Sequence, residues 1–111
     1  MRDPKERLRD ILEAISALGR HHGESRESFE TDELLQAWFL RNLQIIREAA
    51  RALPEDVRKL APEVPWANVI GMRNVLVHGY FDIDTEAVWE AATRDAPALK
   101  PSIEKLLKQL G

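Results

Sequence analysis

The chain has 111 residues, no cysteine, and a net charge of −3 from 16 basic and 19 acidic side chains. That length suggests one domain, residues 1–111, burying about two thirds of the surface its unfolded chain exposes. The composition excludes disulfides and thiolate metal sites. It also excludes wholesale attraction to nucleic acid, so such a role needs a local basic patch or a second subunit. No apolar run is long enough to span a bilayer. The expectation is a soluble, cytoplasmic protein with no membrane role.

In chain order, Leu8, Ile11, Leu12, Ile15 and Leu18 repeat at helical spacing. Asp3 suits the cap of that helix, Pro4 its first turn and Gly19 its stop. The polar, glycine-bearing stretch 20–29 reads as a loop anchored by Phe29. A long helix is expected over 31–53, capped by Thr31 or Ser28. Its stripe is Leu35, Phe39, Leu43, Ile46, Ala49, Ala50 and Leu53, with Asn42 as a polar intrusion. Residues 54–65 hold three prolines and form a connector, with room for a short turn at 55–60. A third helix is expected from Trp66 into the stretch RNVLVHGYF at 73–81, and a fourth over 85–95, capped by Asp84. Pro97 should open a last helix with Leu99, Ile103, Leu106 and Leu110 inward. The sum is an all-α bundle of four or five helices with antiparallel neighbours.

The stretch RNVLVHGYF places Arg73, His78 and Tyr80 inside an apolar run. On a straight helix, five residues turn Arg73 and His78 about 140° apart, so they could not serve one point. A glycine at 79 can end the helix and release His78 from its regular surface. Histidine moves protons near neutral pH. Arginine presents a fixed fork to phosphate. Together they could cleave a phosphodiester without a metal, the histidine handling a proton at the ribose 2′-OH or the leaving oxygen and the arginine stabilising charge on phosphorus. Taken alone, the motif better suits an arginine bonding helix ends, a satisfied semi-buried ring and a packing tyrosine.

The pattern is more specific than its chemistry. RNVLVHGY resembles the R-x4-H-x-Y motif of the HepT-like toxins of the HEPN superfamily. So do RDILEAISAL from Arg9, the stretch 27–58, PWANVIGMRNVLVHGYF from Pro65 and the stretch 88–107, in order and over nearly the whole chain. The resemblance implies an up-and-down helical bundle that forms a homodimer. It implies a ribonuclease toxin of a type VII toxin–antitoxin pair, needing no cofactor, with tRNA or mRNA as target. The catalytic pair, here Arg73 and His78, would lie in a cleft at the dimer interface. The partner antitoxin would be a minimal nucleotidyltransferase that inactivates the toxin by adenylylation, moving AMP from ATP onto Tyr80.

The resemblance also gives Asn74 the role of orienting the site. It matches Asn42 and Glu48 to an N-x5-E pattern that lines the cleft. Arg47 departs from the glycine common in relatives, and it either crowds the bundle or adds a phosphate contact. The rival classes are a catalytically inactive HEPN domain that positions substrate for a nucleotidyltransferase, and a stand-alone structural dimer.

Other candidates have plainer readings. His21 and His22 are adjacent in a loop and have no third ligand nearby. Asp82 and Asp84 suit a loop and a helix cap better than a divalent ion. Trp38, Trp66 and Trp89 sit among apolar positions and read as core or interface anchors. Arg41, Arg47 and Arg51 form either a solvated face or a basic rim for RNA.

Overall fold

The computed structural model describes residues 3–21, 25–78 and 82–111. Among these the protein is helical apart from one two-residue ladder, in line with the all-α expectation. Helix α1 (Pro4–Gly19) starts as expected, with the Asp3 carboxylate accepting from the Lys5 N–H at 2.8 Å. Gly19 is its last helical residue and Arg20 its cap. The expected loop at 20–29 contains a further helix, α2 (Arg26–Thr31), because the Ser25 hydroxyl caps it by accepting from Ser28 N–H. That short turn buries Phe29 completely, so the anchor is helical.

Helix α3 (Glu33–Ala52) begins two residues later than the sequence suggested. Its cap is Asp32, whose carboxylate accepts from Leu35 N–H at 3.1 Å, and neither Thr31 nor Ser28 takes that role. The predicted stripe, Leu35 to Leu53, is buried throughout. Phe39 stacks near Trp89 and lies 5.0 Å, centroid to centroid, from Phe29. Helix α4 (Glu55–Arg58) is the short turn of the connector. The indole N–H of Trp66 donates to the carbonyls of Arg58 and Ala61, each at 3.0 Å, and fastens the connector to the helix that Trp66 opens.

The third helix differs most from expectation. It is split into α5 (Trp66–Gly71) and α6 (Arg73–Leu76), which meet at Met72. It then stops at Leu76, before the expected glycine stop at position 79, which lies outside the described residues. Val77 is extended (φ −127°, ψ 124°) and opens strand β1 (Val77–His78), paired antiparallel with β2 (Asp82–Ile83). β-Branched residues such as Val77 and Ile83 favour this extended pairing over a further helical turn. The Asp84 N–H closes the junction on the Leu76 carbonyl at 2.8 Å.

Helix α7 (Thr85–Glu90) is capped by Asp84 as expected, its carboxylate accepting from Ala87 N–H. Pro97 does not open a separate helix. A π-helical turn, Ala91–Asp95, joins α7 directly to α8 (Ala96–Leu110). The Ala96 N–H reaches back five residues to the Ala91 carbonyl. That wider turn accommodates a proline, which lacks an N–H and whose ring would press on the carbonyl four residues back. Pro101 likewise sits inside α8 rather than delaying it. Helices α3 and α8 both pack along α1, and α5 and α6 pack on α3. The core lies between these long helices.

Candidate functional site

The motif occupies the junction of α6 and β1. Arg73 opens α6, and one turn later its carbonyl accepts the Val77 N–H. A residue four along a helix sits nearly above its partner. The chain leaves the helix at just that point, so His78 continues from Val77 into an extended segment whose backbone is paired with Asp82. The objection that a straight helix would splay the two residues by about 140° therefore does not apply. The side chain of His78, and Tyr80 altogether, lie outside the described residues.

Arg73 and Asn74 are both exposed, and neither side chain makes a hydrogen bond or ion pair with any described residue. An arginine kept for structure would donate to a carbonyl or carboxylate nearby. This one holds its fork of donors out to solvent. It does not line the recess of about 730 Å³ between α3, α5, α7 and α8, which is walled by its neighbours Met72 and Leu76. That recess is mainly apolar.

The residues matched on α3 sit elsewhere in the chain. Asn42 is 4% exposed and lines a recess of about 380 Å³ between α1 and α3. Glu48 lines the next depression along the same seam, about 310 Å³, which shares Asp10, Arg41 and Ile45 with the first. Neither Arg73 nor Asn74 contributes to these walls. Within one chain, then, Asn42 and Glu48 are brought together along one groove, while Arg73 and Asn74 share α6.

The Arg47 side chain is 13% exposed, with its head tied back to its own helix. Nε donates to the Gln44 side-chain carbonyl oxygen at 2.9 Å, and Nη2 pairs with the Glu48 carboxylate. Arg41 and Arg51 are exposed on the same helix. The three tryptophans are all partly buried against the core, as read from the sequence. His21 packs edge-on against Trp38 with ring centroids 6.1 Å apart. No group of three or more histidine, aspartate or glutamate side chains among the described residues is placed to hold a metal ion.

Two features escaped the sequence reading. One is the α1–α3 groove, which depends on how two helices pack and has no local signal. The other is a clasp beside the apolar recess, where Glu63 of the connector meets Ser102 of α8. Hydrogen bonds from its own backbone and from Ser102, with a smaller contribution from Lys105, hold the Glu63 carboxyl below its ordinary range against a small opposing desolvation.

Residues 11–106 match the family described as "Ribonuclease HepT-like". The "Probable ribonuclease HepT" of Thermococcus cleftensis is similar, at 39% identity over 108 residues covering 96% of this chain and 98% of that protein. A protein of Caldanaerobacter subterraneus subsp. tengcongensis that is named as an RNase is 34% identical over 110 residues, with 98% of each chain covered. Another so named, from Methanocaldococcus jannaschii, is 35% identical over 104 residues, covering 93% and 95%. No solved structure matches.

Proposed function

The chain belongs to the Ribonuclease HepT-like family, and from that premise we propose that it is a metal-independent RNA endonuclease that acts as the toxin of a type VII toxin–antitoxin pair. The observation that carries this reading is the Arg73 guanidinium, exposed and without a partner among the described residues, one helical turn before the chain straightens into His78. Arg73 would hold the scissile phosphate and stabilise the charge that builds on its oxygens as the ribose 2′-oxygen bonds to phosphorus and the P–O5′ bond breaks. His78 would take the proton from the 2′-OH or give one to the leaving oxygen. Asn74, exposed beside Arg73, would help orient the phosphate. A homodimer would bring two such junctions to one cleft, and Asn42 and Glu48 would line its approaches.

Tyr80 is the proposed off-switch. Its phenolic oxygen would attack the α-phosphorus of ATP, with pyrophosphate leaving, under the action of a nucleotidyltransferase antitoxin. The added phosphate, two residues beyond His78, would occupy the position an RNA phosphate needs near Arg73.

RNA cleavage in EDTA tests the first half. Wild-type protein should cut RNA, and His78→Ala should not, with circular dichroism unchanged. If the two behave alike on every RNA offered, the nuclease reading falls and an inactive partner domain takes its place. Intact mass after incubation with the antitoxin and ATP tests the second half. A gain of about 329 Da per AMP that disappears in Tyr80→Phe is expected, and a gain that persists in that variant rules Tyr80 out.

A further inference from the structure

Asn42 is a buried polar side chain that the fold itself does not use. Its Nδ2 donates to the Trp38 carbonyl at 2.9 Å. That carbonyl, one turn back, already accepts the backbone N–H of Asn42 in the helix ladder, so the bond ties α3 only to itself. The other half of the amide, Oδ1, accepts nothing from any described residue. Nor is it sealed in, since Arg58 Nε is the one buried side-chain N or O atom without a partner among the described residues. Oδ1 therefore opens into the α1–α3 recess that Asn42 lines. A leucine at this point of the apolar stripe would fill the space without desolvating an amide. An acceptor on a groove wall with no protein partner is available to a donor from outside.

The rest of the groove narrows what that donor can be. Asp10 and Glu13 add carboxylates to its lining. Trp38 and Ile45 supply apolar wall. Arg20 and Arg41 also line the recess and are exposed, and their side chains make no hydrogen bond or ion pair with any described residue. A volume of about 380 Å³ is within the ordinary range for a small-ligand site. The matching ligand has a flat neutral part with amino or N–H donors on one edge, and an anion. Adenine, cytosine and guanine carry such an amino group. Uracil offers one N–H between two carbonyls, which would face the carboxylates.

We propose that the α1–α3 groove is a nucleotide subsite for single-stranded RNA, taking an amino-bearing base against Asn42 Oδ1 and its phosphate between Arg20 and Arg41. The RNA source rests on the ribonuclease reading above. The neighbouring depression, which shares Arg41 and adds Arg7, continues the path for the next nucleotide.

Calorimetric titration of the whole protein with AMP, CMP, GMP and UMP tests this. The first three should bind at least about tenfold more tightly than UMP, the size of one well-made base contact. Asn42→Leu should lose that preference while melting at the same temperature or higher. Arg41→Gln, an exposed substitution that spares the fold, should weaken all four nucleotides alike and lower the salt dependence of binding to a short RNA by about one counterion. The proposal is overturned if UMP binds as well as the others, or if no nucleotide binds. It is equally overturned if Asn42→Leu melts lower with affinity unchanged, or shifts only the monomer–dimer equilibrium, since the groove would then be covered by a second copy. Failure of the nuclease reading shows separately, as absent RNA cleavage in wild-type protein that still binds mononucleotides.

Discussion

Two regions of this protein are built on opposite terms. Helices α1, α3 and α8 are long, each buries one face, and α3 and α8 both pack on α1. The segment from Trp66 to Asp84 is made of pieces: a six-residue helix, a four-residue helix and a two-residue ladder. It is fastened at its edges by the Trp66 indole and the Asp84 backbone. In the first region a side chain's value lies in what it packs against. In the second, the Arg73 side chain bonds to no described residue. The role proposed for Arg73 needs a rigid support and available donors, and dividing the chain this way suits it.

Four substitutions break or sharpen that contrast, from the largest effect to the smallest. Phe39→Ala, in the centre of the scaffold, should destabilise by about 3–5 kcal/mol, read as a fall in the urea midpoint. Arg73→Ala should change stability by no more than about 0.5 kcal/mol yet lower RNA cleavage about 100-fold, the scale of one lost charge-stabilising donor. A large loss of stability instead would mean that Arg73 belongs to the scaffold. Asp84→Ala removes the cap of α7 at the end of the pieced segment and should cost about 1 kcal/mol. Hydrogen exchange should show it first at the amides of residues 85–88.

Glu63→Gln should have the smallest effect. The folded-state pKa of Glu63 is lowered, by its backbone and Ser102 hydrogen bonds first. Its contribution is therefore fully present above the unfolded value, about 4.3, and is lost as pH falls through the folded one. Melting curves of wild type and Glu63→Gln should differ slightly at neutral pH and converge under acid. Curves that stay apart at low pH would mean that the clasp does not depend on the carboxylate charge.

Much of the scaffold could be read from the chain alone. Leu35, Phe39, Leu43, Ile46 and Ala49 are spaced for one face of a helix, and all are buried. Asp3 and Asp84 stand where caps were expected. The misreadings have local causes. Pro97 looked like a start because a proline suits a first turn, yet a π-helical turn let the helix run through it. Thr31 was displaced as a cap by Asp32 one position on. The helix through the motif ended at Leu76 because Val77 pairs with Ile83 across a ladder, a partner six residues away that helical spacing does not reveal.

The site divides in the same way. Residue type and spacing were enough to single out Arg73, His78 and Tyr80, and to mark Asn42 as a polar residue on an apolar face. Hydrophobic periodicity is local, and each helix carries its own record of which side it buries. What Asn42 faces was decided only when α1 lay down beside α3 and left a groove that Asn42 lines. That the Arg73 side chain has no partner among the described residues depended equally on what did not come near it. Contacts between distant parts of a chain arise from packing, and no window of sequence holds both partners.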